Sequence, residues 1–279
     1  MSNTLIIDLD VMVHQCSWQP WQRLVKTVKE ETLLTSIDIE GNPTLNPFTE
    51  EQLSTAVQTA YDKLMGEVNA LMERLFAKDI ICYVKGKGNY RDDIYADYKA
   101  SRKKRPQLRN RVVPELNRIL VEEGFAIASD GMEADDRVRI KARELTELGE
   151  AWVVCTIDKD LKMIGGQYYN IKHKKLYVID KKEANRCLYK QLLEGDSTDN
   201  IPGLPGVGPV RARNTIFPCD NEVEMQEAVV DMYLMQYGEE RWYDELMLTG
   251  DLIYILEYAD KRFKDIFDEW QVVKELKEI

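Results

Sequence analysis

Histidine is nearly missing from this chain: two residues, His14 and His173, in 279. With so little imidazole, histidine-based nucleophile activation or proton transfer is not expected to run the chemistry. Of the two, His173 lies in the polar run Lys172-His173-Lys174-Lys175 and is expected to be exposed, whereas His14 lies in an apolar helical pattern and is expected to be packed. Cysteine is scarce as well. Residues 16, 82, 155, 187 and 219 are an odd number, widely spaced, without a CxxC pair, which argues for reduced thiols rather than a disulfide framework or a thiolate metal site. No apolar run approaches the roughly 18 residues of a membrane span, and Met1-Ser2-Asn3-Thr4 lacks the basic start of a leader, so a soluble cytoplasmic protein (host-cell cytoplasm if phage-encoded) is expected.

What the chain does have is carboxylate, and it is clustered. The net charge is −11. Gly131-Met132-Glu133-Ala134-Asp135-Asp136 packs three acids into four residues where a helical pattern begins, which places Glu133 and Asp136 on one face with Asp135 a step round. Acids also suit the first turn of a helix for its dipole alone, so the triplet gains meaning from its company. Thr4-Leu5-Ile6-Ile7 reads as a buried parallel strand leading into Asp8-Leu9-Asp10, and Ala151 to Ile157 as another leading into Asp158-Lys159-Asp160. Sites in open α/β sheets form beyond the carboxyl ends of strands. Asp196 and Asp199 make a fourth pair before a glycine-rich turn. Hard oxygen donors without His or Cys suit Mg²⁺ or Mn²⁺, and the four clusters read as one divalent-metal site.

The remaining segments give an α/β order. Val11 to Cys16 starts a helix, with Asp10 at its N-terminus, where a cap is one role for it. Trp18 to Glu50, with Pro20 and the turn-rich tract Ile39 to Pro47, reads as a loop or small hairpin. A long amphipathic helix is expected from Thr49-Glu50-Glu51-Gln52 to about Ala77, then a strand at Ile80 to Val84, a helix from Glu115 after Pro114 to Glu123, and a short strand at Gly124 to Ala128. The helix begun at Glu133 should run to Glu147, and Tyr168 to Ile179 form a hairpin. The C-terminal part reads as helical, acidic and aromatic.

One stretch reverses the charge. Between Lys85 and Arg111 there are ten Lys or Arg against three Asp, with Tyr90, Tyr95 and Tyr98 interleaved. Cations beside an acidic metal crevice are what a phosphodiester needs, since they hold the backbone while carboxylates hold the metal. Further on, Gly203, Gly206 and Gly208, followed by Arg211 and Arg213, allow backbone N–H groups to approach a phosphate.

In their order these motifs resemble the flap endonuclease or 5′-to-3′ exonuclease family, in particular its small bacteriophage members, over most of the chain. The residues that carry the resemblance are Ile7-Asp8-Leu9-Asp10, then Tyr90-Arg91 with Tyr98-Lys99-Ala100-Ser101-Arg102. Glu133-Ala134-Asp135-Asp136, Asp158-Lys159-Asp160, Gly195 to Gly203 and Gly206-Val207-Gly208 complete the set. The resemblance implies an α/β fold with a PIN-like parallel sheet flanked by helices over residues 1–185, with a basic arch segment near 85–111, followed by a helical helix-three-turn-helix DNA-binding region over residues 186–279. It implies two Mg²⁺ or Mn²⁺ ions, the first held mainly by Asp8, Glu133, Asp135 and Asp136 and the second by Asp158, Asp160, Asp196 and Asp199. Arg91 and Lys99 would steer the scissile phosphate, and K⁺ would sit at the Gly206–Gly208 hairpin. Nucleic-acid contact is expected from Arg102, Lys103, Lys104, Arg105, Gly206, Gly208 and Arg211. The implied activity is a two-metal 5′ nuclease acting as a monomer on DNA with 5′ ends, flaps or RNA primers.

Two departures carry expectations of their own. Val84 stands seven residues before Arg91, where the family has Asp, and Asp10 is expected to complete the metal shell in its place, on the same side as Asp8 if the strand continues. Arg139, four residues after Asp135, is expected to pair with it. Two other readings remain open: an accessory protein with this fold that binds structured DNA with weak or no catalysis, and a PIN-type ribonuclease.

Overall fold

The computed structural model describes residues 3–27, 48–100 and 110–273. Six strands form one sheet in the order β3-β2-β1-β4-β5-β6: β1 (Asn3–Asp8), β2 (Ala77–Lys85), β3 (Ala126–Ser129), β4 (Trp152–Thr156), β5 (Gly166–Asn170) and β6 (Lys175–Ile179). All neighbours are parallel except the β5-β6 hairpin. Apolar β1 is central, with Ile6 opposite Ile81 on one side and Val154 on the other. Its alternating side chains feed two cores. Leu5 and Ile7 join Cys82, Val84, Val153 and Cys155 beneath α1 (Asp10–Lys26), α2 (Glu50–Arg74) and α4 (Val112–Glu122), where α3 is the short turn Tyr90–Ile94. Ile6, Tyr83 and Val154 face the other way, onto α5 (Ala134–Glu147).

Local chemistry accounts for the helix ends. Thr49 and Gln52 form a reciprocal capping box, with Gln52 N donating to Thr49 Oγ1 at 3.1 Å and Thr49 N to Gln52 Oε1 at 2.9 Å. Pro114 lies in the first turn of α4, where its missing N–H costs no bond. The expected loop after Trp18 is corrected: α1 continues through Pro20 to Lys26. An interior proline costs about 3 kcal/mol. The burial of Met12, Val13, Cys16, Trp21 and Leu24 on one side of α1, with Trp21 set edge-on to Phe48 at 5.4 Å, outweighs it. Residues 28–47 of that tract lie outside the described residues.

The second core continues into the C-terminal half, through α6 (Lys181–Glu194), α7 (Pro209–Ile216), α8 (Glu222–Tyr237), α9 (Trp242–Ile253) and α10 (Phe263–Phe267). Between α6 and α7 a two-strand ladder, β7 (Gly195–Asp196) with β8 (Ile201–Pro202), turns the chain. A Cβ on Gly203 would lie 2.2 Å from the carbonyl carbon of Glu194, so this crossing admits only glycine. After α9, the segment from Tyr254 to Arg262 returns across α5, where Arg139 and Arg143 stack on Tyr254 and Tyr258. Among the described residues no helix is long and apolar enough to cross a membrane.

Candidate active site

The carboxyl ends of β1 and β4, the N-terminus of α5 and the β7-β8 turn converge on one cavity of about 640 Å³. Eight of the nine expected acids line it: Asp8, Asp10, Glu133, Asp135, Asp158, Asp160, Asp196 and Asp199. Asp8 ends β1 and is 7% exposed. Burial, then the charges of Asp10, Asp158 and Glu133, push its carboxyl up to about 7. Asp135 is raised well above the carboxylate range, by burial first and then by Asp8 and Asp158, and its Oδ1 is buried without a hydrogen-bond partner. Asp160 is raised to about 6 by burial and Asp158, while Gln191 Nε2 donates to its Oδ1 at 2.5 Å. Asp158 is fixed from behind, its carbonyl accepting from Tyr168 Oη at 2.6 Å.

Asp10 lies in this cavity by a different route from the one expected. The strand stops at Asp8, and Asp10 opens α1. Its Oδ1 accepts the Lys85 N–H at 3.0 Å, and its own N–H donates to Asp8 Oδ1 at 3.1 Å. Burial raises its pKa. Val84, one residue before that anchor, points to the opposite core and is fully buried there, so nothing at position 84 faces the acids.

Of the three lysines that line the cavity, Lys85, Lys99 and Lys159, Lys99 is the one paired with two of its acids. Its Nζ pairs with Glu133 Oε1 and lies 3.5 Å from Asp199 Oδ2, and its N–H donates to the Asp199 carbonyl at 2.8 Å. Lys99 and Asn200 both adopt left-handed backbone, φ 54° and 58°, where these two turns meet. Glu133 also accepts from Asn89 Nδ2 and from Tyr98 Oη, each at 3.1 Å.

Four expectations are corrected. Asp136 does not line the cavity: it is fully buried, and both oxygens are consumed by Arg91, by the Glu133 N–H at 3.0 Å and by the Leu256 N–H at 2.8 Å. Despite that burial, the Arg91 guanidinium and these bonds hold its carboxyl below the usual range. Arg91 in turn donates to the carbonyls of Leu252 at 3.1 Å and Tyr254 at 2.7 Å, so four of its five N–H groups are held within the protein rather than turned to a phosphate. Arg139 pairs with Glu257 at 3.2 Å and with the Ile255 carbonyl at 2.7 Å, so it does not compete for Asp135. His14 is exposed and lines the acidic cavity beside Asp10 rather than packing inside. His173 is exposed as expected. Tyr98 is buried. Arg102, Lys103, Lys104 and Arg105 lie outside the described residues.

Sequence reasoning missed the strap from Leu252 to Leu256 that clamps Arg91 and Asp136, and it missed Gln191 and Asn89. The strap acts through backbone groups, which leave no mark in residue type. At the glycine hairpin, Gly206 has φ +74° and Gly208 caps α7; both are exposed, and a Cβ on either would meet open space. Arg211 is exposed on α7 beside them.

The donor set fits hard divalent cations: all-oxygen ligands, an orphaned Asp135 oxygen and carboxyls whose charge is disfavoured without a counter-ion. Among the described residues no three acids, histidines or cysteines are already gathered as a ligand cluster. The cavity is therefore lined for a metal without being closed on one.

A family model described as 5′-3′ exonuclease, N-terminal resolvase-like domain, matches residues 47–189. The chain is 30% identical to a 5′-3′ exonuclease of Buchnera aphidicola over 141 residues, 47% of this chain and 49% of that protein. It is 26% identical to a 5′-3′ exonuclease of Mycoplasma pneumoniae over 224 residues, 75% of this chain and 69% of that one. A match to DNA polymerase I of Rhizobium leguminosarum, 30% over 138 residues and 44% of this chain, spans 13% of that longer protein. In fold, the chain resembles bacteriophage T5 5′-exonuclease with bound zinc, with a TM-score of 0.52 at 15% identity over 99% of both chains.

Proposed function

The chain belongs to the 5′-3′ exonuclease family, and from that premise we propose that it is a divalent-metal-dependent 5′ nuclease that hydrolyses phosphodiesters at 5′ ends or flaps of DNA, including RNA primers, as a monomer. The observation that carries this reading is the convergence of eight carboxylates and Lys99 on a single cavity at the carboxyl edge of the sheet. Asp8, Asp10, Glu133 and Asp135 stand at its β1, α1 and α5 walls and would hold one Mg²⁺ or Mn²⁺. Asp158, Asp160, Asp196 and Asp199 stand at its β4 and β7 walls and would hold a second. Bound divalent ions supply positive charge for activating water and for stabilising the leaving oxygen.

The protein's own groups do the positioning. Lys85 holds Asp10, Gln191 holds Asp160, and Asn89 with Tyr98 holds Glu133, so three acids keep their orientation against mutual repulsion. Lys99, already among the carboxylates, is the cation placed to meet a scissile phosphate. Exposed Gly206, Gly208 and Arg211 would receive duplex backbone, with K⁺ at the hairpin.

Incubation of a 5′-labelled flap, a nicked duplex and a single-stranded RNA with Mg²⁺ tests this proposal, with Asp135→Asn as control. Metal-dependent release of short 5′ products from the DNA substrates, abolished in the variant, is the expected result. Binding of the flap without cleavage would transfer the protein to the accessory class, a reading favoured by the Lys99 bridge between Glu133 and Asp199. Cleavage of RNA alone would make it a PIN-type ribonuclease.

A further inference from the structure

A second cavity, of about 480 Å³, opens on the far side of Asp160, between the 3₁₀ turn Asp160–Ile164, one face of α6 and Phe217 at the end of α7. Lys159 and Asp160 line both this cavity and the acidic one, so the two meet there. Lys182, Arg186 and Lys190 recur every fourth residue along α6 and form one stripe, with Lys162 facing them from the 3₁₀ turn.

Across the whole lining five cations, Lys159 with these four, face four acids, Asp160, Asp180, Glu183 and Glu194. Lys190 is paired with Glu194. Asp180 spends its Oδ1 on the Glu183 N–H at 2.7 Å as the cap of α6, and Asp160 accepts from Gln191. Among the described residues, Lys162, Lys182 and Arg186 have no ion-pair partner, against two lining acids, Asp180 and Glu183, that have none either. Arg186 is anchored by Nη2, which donates to the Phe217 carbonyl at 2.6 Å, yet its Nε is buried with no acceptor. A buried charged donor without an acceptor is costly, and three unpaired cations in one concave site make an anion with several oxygens the fitting complement.

We propose that this cavity is a phosphate subsite that holds the backbone of the nucleic-acid strand where it passes Asp160 out of the acidic cavity. The proposal deepens the nuclease reading and rests on it for the identity of the strand. Two arrangements support a strand over a free anion: the shared wall at Asp160, and the succession of cations along α6, which offers several phosphates a partner in line.

The test is anisotropy titration of a labelled single-stranded DNA oligonucleotide against the whole protein in Ca²⁺, across a salt series. Lys162→Gln with Lys182→Gln should lower affinity about tenfold and flatten the slope of log K on log salt by roughly 0.7 for each phosphate no longer neutralised. Arg186→Gln should act in the same direction. Both half-exposed lysines can be replaced without opening the core, so the double variant carries the test if Arg186→Gln fails to fold. A wild-type slope in the double variant overturns the proposal. So does a ³¹P titration in which inorganic phosphate is held as tightly as the oligonucleotide, for that makes the cavity a free-anion site. Binding in Ca²⁺ is read apart from cleavage, so wild-type protein that cleaves nothing in Mg²⁺ sinks the nuclease reading and leaves this measurement interpretable.

Discussion

Arg91 grips both carboxylate oxygens of Asp136, with Nη1 2.8 Å from Oδ2 and Nη2 3.0 Å from Oδ1, and neither side chain is more than 2% exposed. The pair is tied on three sides: to the start of α5 through the Glu133 N–H, to the strap through Leu256 N–H, and to the end of α9 through the carbonyls of Leu252 and Tyr254. It thereby joins the short turn Tyr90–Ile94, the acidic helix and the C-terminal helices.

Breaking one partner of such a pair leaves an unpaired buried charge, which costs about 3–5 kcal/mol. Asp136→Ala is expected to lower stability by that amount in a urea titration, and Arg91→Ala by a similar one. A carboxyl held below its ordinary value gives stability that is present above the unfolded pKa and lost as pH falls through the folded value. The gap between wild type and Asp136→Ala should therefore narrow in acid, below about pH 4. If Asp136→Ala instead folds as well as wild type and only weakens Mg²⁺ binding, Asp136 is a ligand after all.

The acidic cavity has the opposite sign. Asp8 and Asp160 are raised to about 7 and about 6, and Asp10 and Asp135 are raised as well. The folded state holds these protons after the unfolded chain has released them, so their contribution favours folding below about pH 4 and is lost as pH rises toward 7. In EDTA the melting temperature is expected to fall between pH 5 and pH 8. Millimolar Mg²⁺ or Mn²⁺, binding the native state alone, should recover it at pH 8, and Asp135→Asn with Asp158→Asn should blunt that recovery. A melting curve indifferent to both pH and metal excludes a shared site.

The two hairpin glycines separate folding from binding. Gly206 has φ +74°, so Gly206→Ala should cost about 1 kcal/mol or slightly more in stability. Gly208 has φ −90° with open space beside it, so Gly208→Ala should be neutral or slightly stabilising. If backbone N–H groups here approach a phosphate, Gly208→Ala will nevertheless weaken nicked-duplex binding several-fold. Unchanged binding makes the hairpin a turn and nothing more.

The sheet, the helix starts and eight of the nine acids are legible in sequence because each rests on a local pattern: an apolar run, a capping box, acids following a strand. Asp136 is misread for the same reason. It sits in the acidic run with Glu133 and Asp135, and what distinguishes it is a guanidinium 45 residues away and an amide 120 residues away. The fate of Pro20 is decided by burial of the whole α1 stripe, which a local turn signal does not report. The apolar neighbours of His14, namely Val11, Met12, Val13 and Cys16, suggest a core position, yet the helix turns it to the cavity side.

Position 84 gives the sharpest contrast with Asp10. Val84 is fully buried among Leu5, Ile7, Cys82 and Val112, on the face of the sheet away from the acids. A carboxylate placed there would be buried in an apolar core, so Val84→Asp should lower stability by about 3 kcal/mol or more and restore no activity. Asp10 is already inside the cavity, fixed by the Lys85 N–H, with its second oxygen left for a metal or a water on it. Asp10→Ala should therefore cut Mg²⁺-dependent cleavage at least about tenfold, on the scale of a missing supporting ligand, while DNA affinity in Ca²⁺ stays within about twofold. Asp10→Asn keeps the Lys85 bond through its amide oxygen and loses only the charge. Activity for Asn between those of Asp and Ala would show that holding β2 against α1 is part of the residue's work; equal loss in both would assign the whole effect to charge. Wild-type cleavage by Asp10→Ala would remove Asp10 from the site.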